Sequence, residues 1–152
     1  MFLLINKPKG ITSHDVIARL RRITNIKKIG HAGTLDPMAE GLLIVGIGRE
    51  STKKLGEIAK DTSKVYEAEI YLGKETDTYD AEGKVISEVE CNVDDKEIAS
   101  VLKKFQGEIK QVPPIYSAIK IGGRKAYELA RKGEKVQLEP RDVEIYDIKI
   151  LG

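Results

Sequence analysis

A glycine-rich segment, GHAGTLDPMAEG at residues 30–41, constrains the fold of this chain more than any other feature. It contains three glycines, one histidine, one proline and one aspartate, and it lies between two stretches whose patterns predict regular secondary structure. Glycine and proline at this density interrupt helices and strands alike, so the segment is predicted to form a loop. Regular elements on both sides would hold that loop in place, as they do for many binding and catalytic loops.

Asp36 is the strongest candidate for a reactive side chain in this loop. The following Pro37 allows a plain turn or a helix start, and an isolated Asp-Pro pair would favour that explanation. Gly30 and Gly33, however, would let a ligand approach the backbone closely, and His31 adds a ring that can donate or accept a hydrogen bond. An aspartate is ionised at neutral pH, so Asp36 could act as a nucleophile or as a base.

The residues on either side of the loop predict regular elements. Residues 2–5 form an apolar run that ends at a Lys-Pro-Lys-Gly turn, which is typical of a short strand. Thr12 and Asp15 have the spacing of a capping box, and apolar residues recur at helical period up to Ile23. After the loop, residues 42–45 predict a buried strand, and residues 51–60 predict a short helix.

The second half of the chain combines strand and helix patterns. Apolar residues alternate from Tyr66 to Leu72, which predicts a strand over 64–72 with residues 85–89 as its antiparallel neighbour. An amphipathic helix over 98–105, a strand over 115–121, a basic helix over 124–132 and a last strand over 143–151 follow. Because no regular βαβ alternation occurs, we predict an α+β fold with a mixed, largely antiparallel sheet flanked by helices. No linker or repeat marks a boundary, so residues 1–152 are expected to form one domain.

Composition excludes several classes of protein. No apolar run approaches the roughly 18 residues of a membrane span, and the opening apolar run is too short for a signal peptide. With Cys91 as its single cysteine, the chain cannot form an internal disulfide, and we expect a cytoplasmic protein. The net charge is +2, with +6 on residues 1–60, −8 on residues 61–100 and +4 on residues 101–152. Two basic segments around an acidic one fit a nucleic-acid-binding protein, although charge alone favours an ordinary solvated surface.

Cofactor and metal motifs fail on their spacing. Gly46 and Gly48 follow a strand, but Ser51 replaces the third glycine of a dinucleotide fingerprint, and the sequence has no P-loop. The acidic loop with Asp77 and Asp80 lacks the spacing of a calcium loop. Two histidines and one cysteine do not supply a zinc ligand set. We therefore expect neither a cofactor nor a metal.

Four blocks of the sequence resemble the TruB-type tRNA pseudouridine synthases, and they occur in the same order as in that family. They are LLINKPKGITSHDV, GHAGTLDPMAEGLLIVGIGRESTK, KVYEAEIYLGKETDTYDAEG and QVPPIYSAIKIGGRKAYELARKG. The resemblance covers nearly the whole chain and implies a pseudouridine synthase-like catalytic domain. It implies an isomerase that converts uridine 55 in the T-loop of tRNA to pseudouridine, by a cofactor-free mechanism with base flipping.

The resemblance also implies roles for individual residues. Asp36 would be the catalytic aspartate, and attack on the sugar, attack on the uracil and action as a base all stay open. Tyr66 would stack on the target uracil and could assist proton transfer through its hydroxyl, whereas the sequence alone favours a core tyrosine. His31 would contact the flipped nucleotide, where the sequence alone favours a structural loop histidine.

Seven basic residues are candidates for contacts to RNA phosphates, because a folded RNA loop is recognised largely through its shape and backbone charge. Each of them has an ordinary solvated surface residue as its alternative. They are Lys7, Lys9, Lys64, Arg124, Lys125, Arg131 and Lys132.

Members of this family continue past the position of Gly152 with more of the catalytic sheet and usually with a small RNA-binding PUA domain. The resemblance therefore implies the N-terminal portion of a catalytic domain, and it leaves open whether this portion is active alone. We expect the T-arm of tRNA as the partner, no membrane contact, a monomeric full-length enzyme, and self-association of the fragment through an uncovered sheet edge. Two other functions stay open: a subunit of a guide-RNA-dependent pseudouridine synthase, and a non-catalytic role in RNA binding or RNA folding.

Overall fold

The computed structural model of the chain describes residues 1–117, 119–130, 132–134 and 136–151. The chain separates into two compact units, Met1–Glu67 and Ala68–Gly152. Every strand pair within the described residues is antiparallel, and helices accompany the sheets. The predicted α+β class is therefore confirmed, while the single domain over residues 1–152 stays a prediction.

The N-terminal unit is built on a three-stranded antiparallel sheet with two helices. The elements are β1 (Phe2–Lys7), α1 (Ser13–Thr24), β2 (Ile29–Ala32), β3 (Gly41–Ile47) and α2 (Arg49–Asp61). The central strand β3 pairs with β1 on one side and with β2 on the other.

Helix α1 begins with the capping box that the sequence predicts. The Thr12 hydroxyl accepts a hydrogen bond from the Asp15 backbone N–H at 3.0 Å, and the Asp15 carboxylate accepts one from the Thr12 N–H at 2.8 Å. These bonds satisfy two of the N–H groups that a helix start leaves without partners. The hydrogen bonds from the Thr12 side chain and backbone lower the pKa of Asp15. The helix ends at Thr24, and the C-cap residue Asn25 adopts a left-handed conformation with φ of 56°.

The two helices cover opposite faces of the sheet. Val16 and Ile17 of α1 pack against Leu43 and Val45, whose side chains point to one face of β3 and are fully buried. Gly46 follows Val45 on β3, so its Cα–H faces the opposite side of the sheet, because successive residues alternate between the two faces of a strand. A Cβ atom on Gly46 would lie 3.1–3.2 Å from atoms of α2, so this helix packs directly onto the backbone of β3. The strands on either side of the glycine-rich loop are therefore held from both faces.

The C-terminal unit contains three two-stranded antiparallel sheets within the described residues. Its strands pair as β4 (Lys74–Thr76) with β5 (Val85–Glu88), β6 (Gly107–Gln111) with β9 (Arg141–Ile145), and β7 (Lys120–Ile121) with β8 (Arg124–Lys125). Its helices are α3 (Asp95–Leu102), a 3₁₀ turn (Lys103–Phe105) and α4 (Ala126–Ala130). Across the described parts of both units, no helix is long and apolar enough to cross a membrane.

Several predicted elements differ from those observed. The strand predicted over 64–72 does not form, and β4 instead pairs with β5. Strand β2 was not predicted, because glycine and histidine interrupt its apolar pattern. The strand predicted over 115–121 is reduced to β7, and the basic helix predicted from residue 124 becomes helical only at Ala126. The last strand occupies Arg141–Ile145 rather than 143–151.

Candidate active site

The loop that carries Asp36 connects two neighbouring strands of the N-terminal sheet. Strand β2 ends at Ala32, which pairs with Ile44, and β3 begins at Gly41, which pairs with Lys7 of β1. Residues 33–40 therefore start and end on paired strands. Asp36 is exposed near the middle of this loop, as a residue that meets a ligand must be.

Hydrogen bonds fix the backbone on both sides of Asp36. The Ser13 hydroxyl donates to the Leu35 carbonyl and accepts from the Leu35 N–H, both at 3.0 Å. On the other side, the Gly10 N–H donates to the Pro37 carbonyl at 2.8 Å. The Ala39 N–H donates to the carbonyl of Asp36 itself at 3.1 Å, which closes a turn. The loop is rich in glycine, yet its backbone around the aspartate is anchored.

Lys7 is fully buried beneath this region, which does not fit the phosphate contact expected from the sequence. Its side chain is 0% exposed, and its ammonium group donates to the carbonyls of Pro8 at 2.9 Å and Ile11 at 2.8 Å. A buried lysine needs such partners, because an ammonium group without them is costly to remove from water. Lys7 therefore holds together the turn that contains Gly10, and its charge faces backbone carbonyls.

His31 lies at the start of the loop, on β2, with a half-buried ring. Its Nε2 atom is 3.3 Å from the Thr34 hydroxyl, so the ring spans the first turn of the loop. Burial lowers the pKa of the imidazole, and the nearby His14 lowers it further. The neutral form is therefore favoured at pH 7, and a neutral imidazole can either donate or accept a hydrogen bond.

The carboxylate of Asp36 has no cationic partner in the described part of the chain. None of the ion pairs there involves it, and no hydrogen bond to its side chain occurs among the same residues. Groups of three or more His, Cys, Asp or Glu side chains able to hold a metal ion are also absent from the described residues. The geometry around Asp36 is that of one negatively charged group presented to solvent on a fixed backbone.

Tyr66 lies in an irregular segment near the end of the same unit. Its side chain is 74% exposed, so it is not the core tyrosine that the sequence alone favours. No hydrogen bond joins it to Asp36 or to His31 within the described residues. The structure thus places His31 near the end of β2, beside the loop that carries Asp36, and it leaves the ring of Tyr66 exposed for contact with another molecule.

Besides Lys7, the candidate basic residues Lys64 and Arg124 also interact with their own units. The Lys64 ammonium donates to the carbonyls of Ala59 at 2.9 Å and Thr62 at 3.0 Å, at the C-terminal end of α2. A cation stabilises that end because the helix dipole is negative there. Arg124 forms an ion pair with Glu134, with Nη2 and Oε2 2.5 Å apart. Both side chains remain partly accessible to solvent, so neither contact excludes RNA.

The other candidate basic residues differ in exposure. Lys9 and Lys132 are exposed, and Lys125 is half-buried. Arg131 lies outside the described residues. Lys9 belongs to the N-terminal unit, and Lys125 and Lys132 belong to the C-terminal unit.

Sequence reasoning missed the residues that anchor the loop. Ser13 is the first residue of α1, and its bonding partner, Leu35, lies 22 residues away in the sequence. Gly10 resembles an ordinary turn glycine, and its φ of 83° does suit a turn. The local pattern carries no signal for either long-range bond.

Comparison with known proteins identifies the family of the chain. Residues 21–152 match the model of the TruB family pseudouridylate synthase N-terminal domain. The tRNA pseudouridine synthase B of Thermosipho melanesiensis is 51% identical over 147 residues, which are 97% of this chain and 48% of that protein. The tRNA pseudouridine synthase B of Fusobacterium nucleatum is 53% identical over 150 residues, with 98% and 51% covered.

A solved structure shares the fold. A crystal structure of a Cbf5–Nop10–Gar1 complex contains a chain that matches with a TM-score of 0.58 and 25% identity. The match covers 99% of this chain and 36% of that one. This chain also spans about half the length of the curated relatives that it matches. The family match and the identities near 50% nevertheless leave one assignment: the chain belongs to the TruB family of pseudouridylate synthases.

Proposed function

We propose that the protein containing this chain isomerises uridine 55 in the T-loop of tRNA to pseudouridine, in the cytoplasm and without a cofactor. Relatives at 51% and 53% identity carry the name tRNA pseudouridine synthase B, which supports a tRNA substrate and this reaction. The observation that carries the proposal is an exposed carboxylate, Asp36, on a loop whose backbone is bonded on both sides.

The proposed reaction has a role for one fixed carboxylate. Pseudouridine formation breaks the bond between the sugar C1′ and uracil N1 and forms a bond between C1′ and C5. The proton lost from C5 is balanced by a proton that N1 takes up. The base must therefore leave its stack and turn within a pocket. Asp36 is proposed to start this exchange, by attack on C1′, by attack on the uracil ring or by removal of a proton.

His31 and Tyr66 are proposed to hold the flipped nucleotide. A neutral His31 ring can donate to a ribose or uracil oxygen, or accept a hydrogen bond from the nucleotide. The exposed ring of Tyr66 offers a surface on which uracil can stack. Such stacking contributes about 1–3 kcal/mol, which offsets part of the energy needed to unstack the base.

The T-arm would be held mainly through its phosphates, because RNA of this kind is recognised largely by shape and backbone charge. We include the exposed Lys9 and Lys132, together with Lys64, Arg124, Lys125 and Arg131, as candidates for these contacts. Lys7 is left out, because its ammonium group is buried and bonded to two carbonyls.

Two other functions, a guide-RNA-dependent synthase and a non-catalytic RNA-binding or RNA-folding role, have less support than the proposed one. A guide-RNA-dependent synthase is favoured only by the likeness to the Cbf5 complex, at 25% identity, against about 50% for the tRNA enzymes. A purely RNA-binding or RNA-folding role has no observation that favours it over catalysis.

The test uses the complete protein encoded by the reading frame, with unmodified tRNA and no guide RNA. A matched tRNA with cytidine at position 55 serves as the control, and pseudouridine is mapped by chemical modification and primer extension. We expect product at position 55 of the first tRNA only, and an unchanged rate after chelation of metal ions. Activity that requires an added guide RNA, or tight tRNA binding without product, would replace the proposal with one of the alternatives.

A further inference from the structure

One short stretch of chain holds the backbone on both sides of Asp36. Ser13 bonds to both polar backbone groups of Leu35, the residue before the aspartate. The N–H of Gly10, three residues earlier, bonds to the carbonyl of Pro37, the residue after it. These bonds join parts of the sequence that are more than 20 residues apart.

The Ser13 hydroxyl supplies the hydrogen bonds that a neighbouring strand would otherwise give to the Leu35 backbone. It donates to the carbonyl and accepts from the N–H of the same residue, so both polar groups of that backbone position are satisfied by one side chain. Ser13 is only 2% exposed, so water does not compete freely for either bond. Alanine in its place would leave the Leu35 groups without this partner.

Ser13 also rests on a rigid support. It is the first residue of α1, whose Val16 and Ile17 belong to the core of the N-terminal unit. A site carried by a packed helix is held more closely than one held by a loop alone. Because Ser13 belongs to a helix that packs in the core, its bonds to Leu35 hold the loop in a fixed position relative to the core.

We propose that Ser13 is a positioning residue for the catalytic aspartate. By fixing Leu35, it sets the place of the Asp36 carboxylate relative to the reacting nucleotide, and the bond from Gly10 fixes the opposite side. The inference rests on the proposed function, because it takes Asp36 as the reacting group. A displacement of about 1 Å at a reacting group can reduce a rate by roughly 100-fold.

The test compares Ser13→Ala with Ser51→Ala in the complete protein. Ser51 is a matched control, because it is also a buried serine of the N-terminal unit and lies on α2. For each variant, thermal unfolding, tRNA affinity and the single-turnover rate of pseudouridine formation are measured. Amide hydrogen exchange is followed at Leu35 and at Val45, whose side chain lies in the core.

We expect Ser13→Ala to fold, to bind tRNA with unchanged affinity, and to lose about 10- to 100-fold in single-turnover rate. The Leu35 amide should exchange at least about tenfold faster, while the Val45 amide should not change, because only the local anchor is lost. Ser51→Ala should leave the rate and the Leu35 amide unchanged.

Three results would overturn the inference. They are an unchanged rate in a folded Ser13→Ala variant, an equal loss of rate in Ser51→Ala, and a Ser13→Ala chain that does not fold. The third would assign Ser13 a general structural role. Asp36→Asn is measured in parallel to distinguish failure of this inference from failure of the proposed function. An active Asp36→Asn variant would show that Asp36 is not the catalytic group, whatever the result for Ser13→Ala.

Discussion

Replacement of Lys7 by methionine would test the buried cation beneath the loop. Methionine has nearly the length of lysine, so the main loss is the donor to two carbonyls, those of Pro8 and Ile11. A buried acceptor without a partner costs about 1–3 kcal/mol. Pro8 is exposed and Ile11 half-buried, so water can partly replace the ammonium group. We therefore expect the free energy of unfolding to fall by roughly 2–3 kcal/mol for the two bonds together.

Lys9→Met is the matched control, because Lys9 is two residues away and exposed. Urea denaturation should show a change within about 0.5 kcal/mol for this variant. T-arm RNA affinity, measured as a function of salt concentration, should respond to Lys9→Met and not to Lys7→Met. Loss of one phosphate contact lowers the slope of log affinity against log salt concentration by about 0.7–0.9, which is expected for Lys9→Met only. Unchanged stability of Lys7→Met, together with a lower salt slope, would refute the buried role of Lys7.

Changes at three other positions have distinct expected outcomes. Gly46→Ala should lower the free energy of unfolding by about 1–3 kcal/mol, because its methyl carbon would lie 3.1–3.2 Å from atoms of α2; an unchanged urea midpoint would contradict this packing. His14→Gln should raise the pKa of His31, which is measured from its ring resonances by NMR. Because the pKa of His31 is lowered in the folded protein, the unfolded state binds the proton more readily. The native protein should therefore lose stability relative to a His31→Gln variant as the pH falls through about 6.5. Tyr66→Leu should weaken RNA binding by about 5- to 150-fold through lost stacking, whereas Tyr66→Phe should keep the affinity, and equal turnover for Tyr and Phe would limit the residue to stacking.

The elements that the sequence predicts well are those with local causes. The capping box of Thr12 and Asp15 starts α1 through bonds between residues three apart, so the pattern contains the whole interaction. Strand β3 is an apolar run buried between two helices, and its hydrophobicity alone identifies it. The position of Asp36 on a supported loop follows from these two elements.

The errors concern interactions between distant residues. Alternation from Tyr66 to Leu72 shows which side chains would share a face, but a strand also needs a bonded neighbour, and that segment has none among the described residues. Strand β2 shows the reverse case, because pairing with β3 makes a strand of a segment with a weak pattern. Lys7 is similar: a lysine is normally solvated, and only the fold reveals the two carbonyls that hold it.

The most direct test of the central claim is the single-turnover rate of pseudouridine formation by Asp36→Asn on T-arm RNA. The substitution keeps the shape of the side chain and removes its charge. Asp61→Asn, at the end of α2, is the control for loss of an exposed carboxylate from the same unit. If Asp36 is the catalytic group, the single-turnover rate of Asp36→Asn should be at least about 100-fold below that of the native protein, with RNA affinity and stability unchanged. Asp61→Asn should keep the native rate. A near-native rate for a folded Asp36→Asn protein would contradict the account.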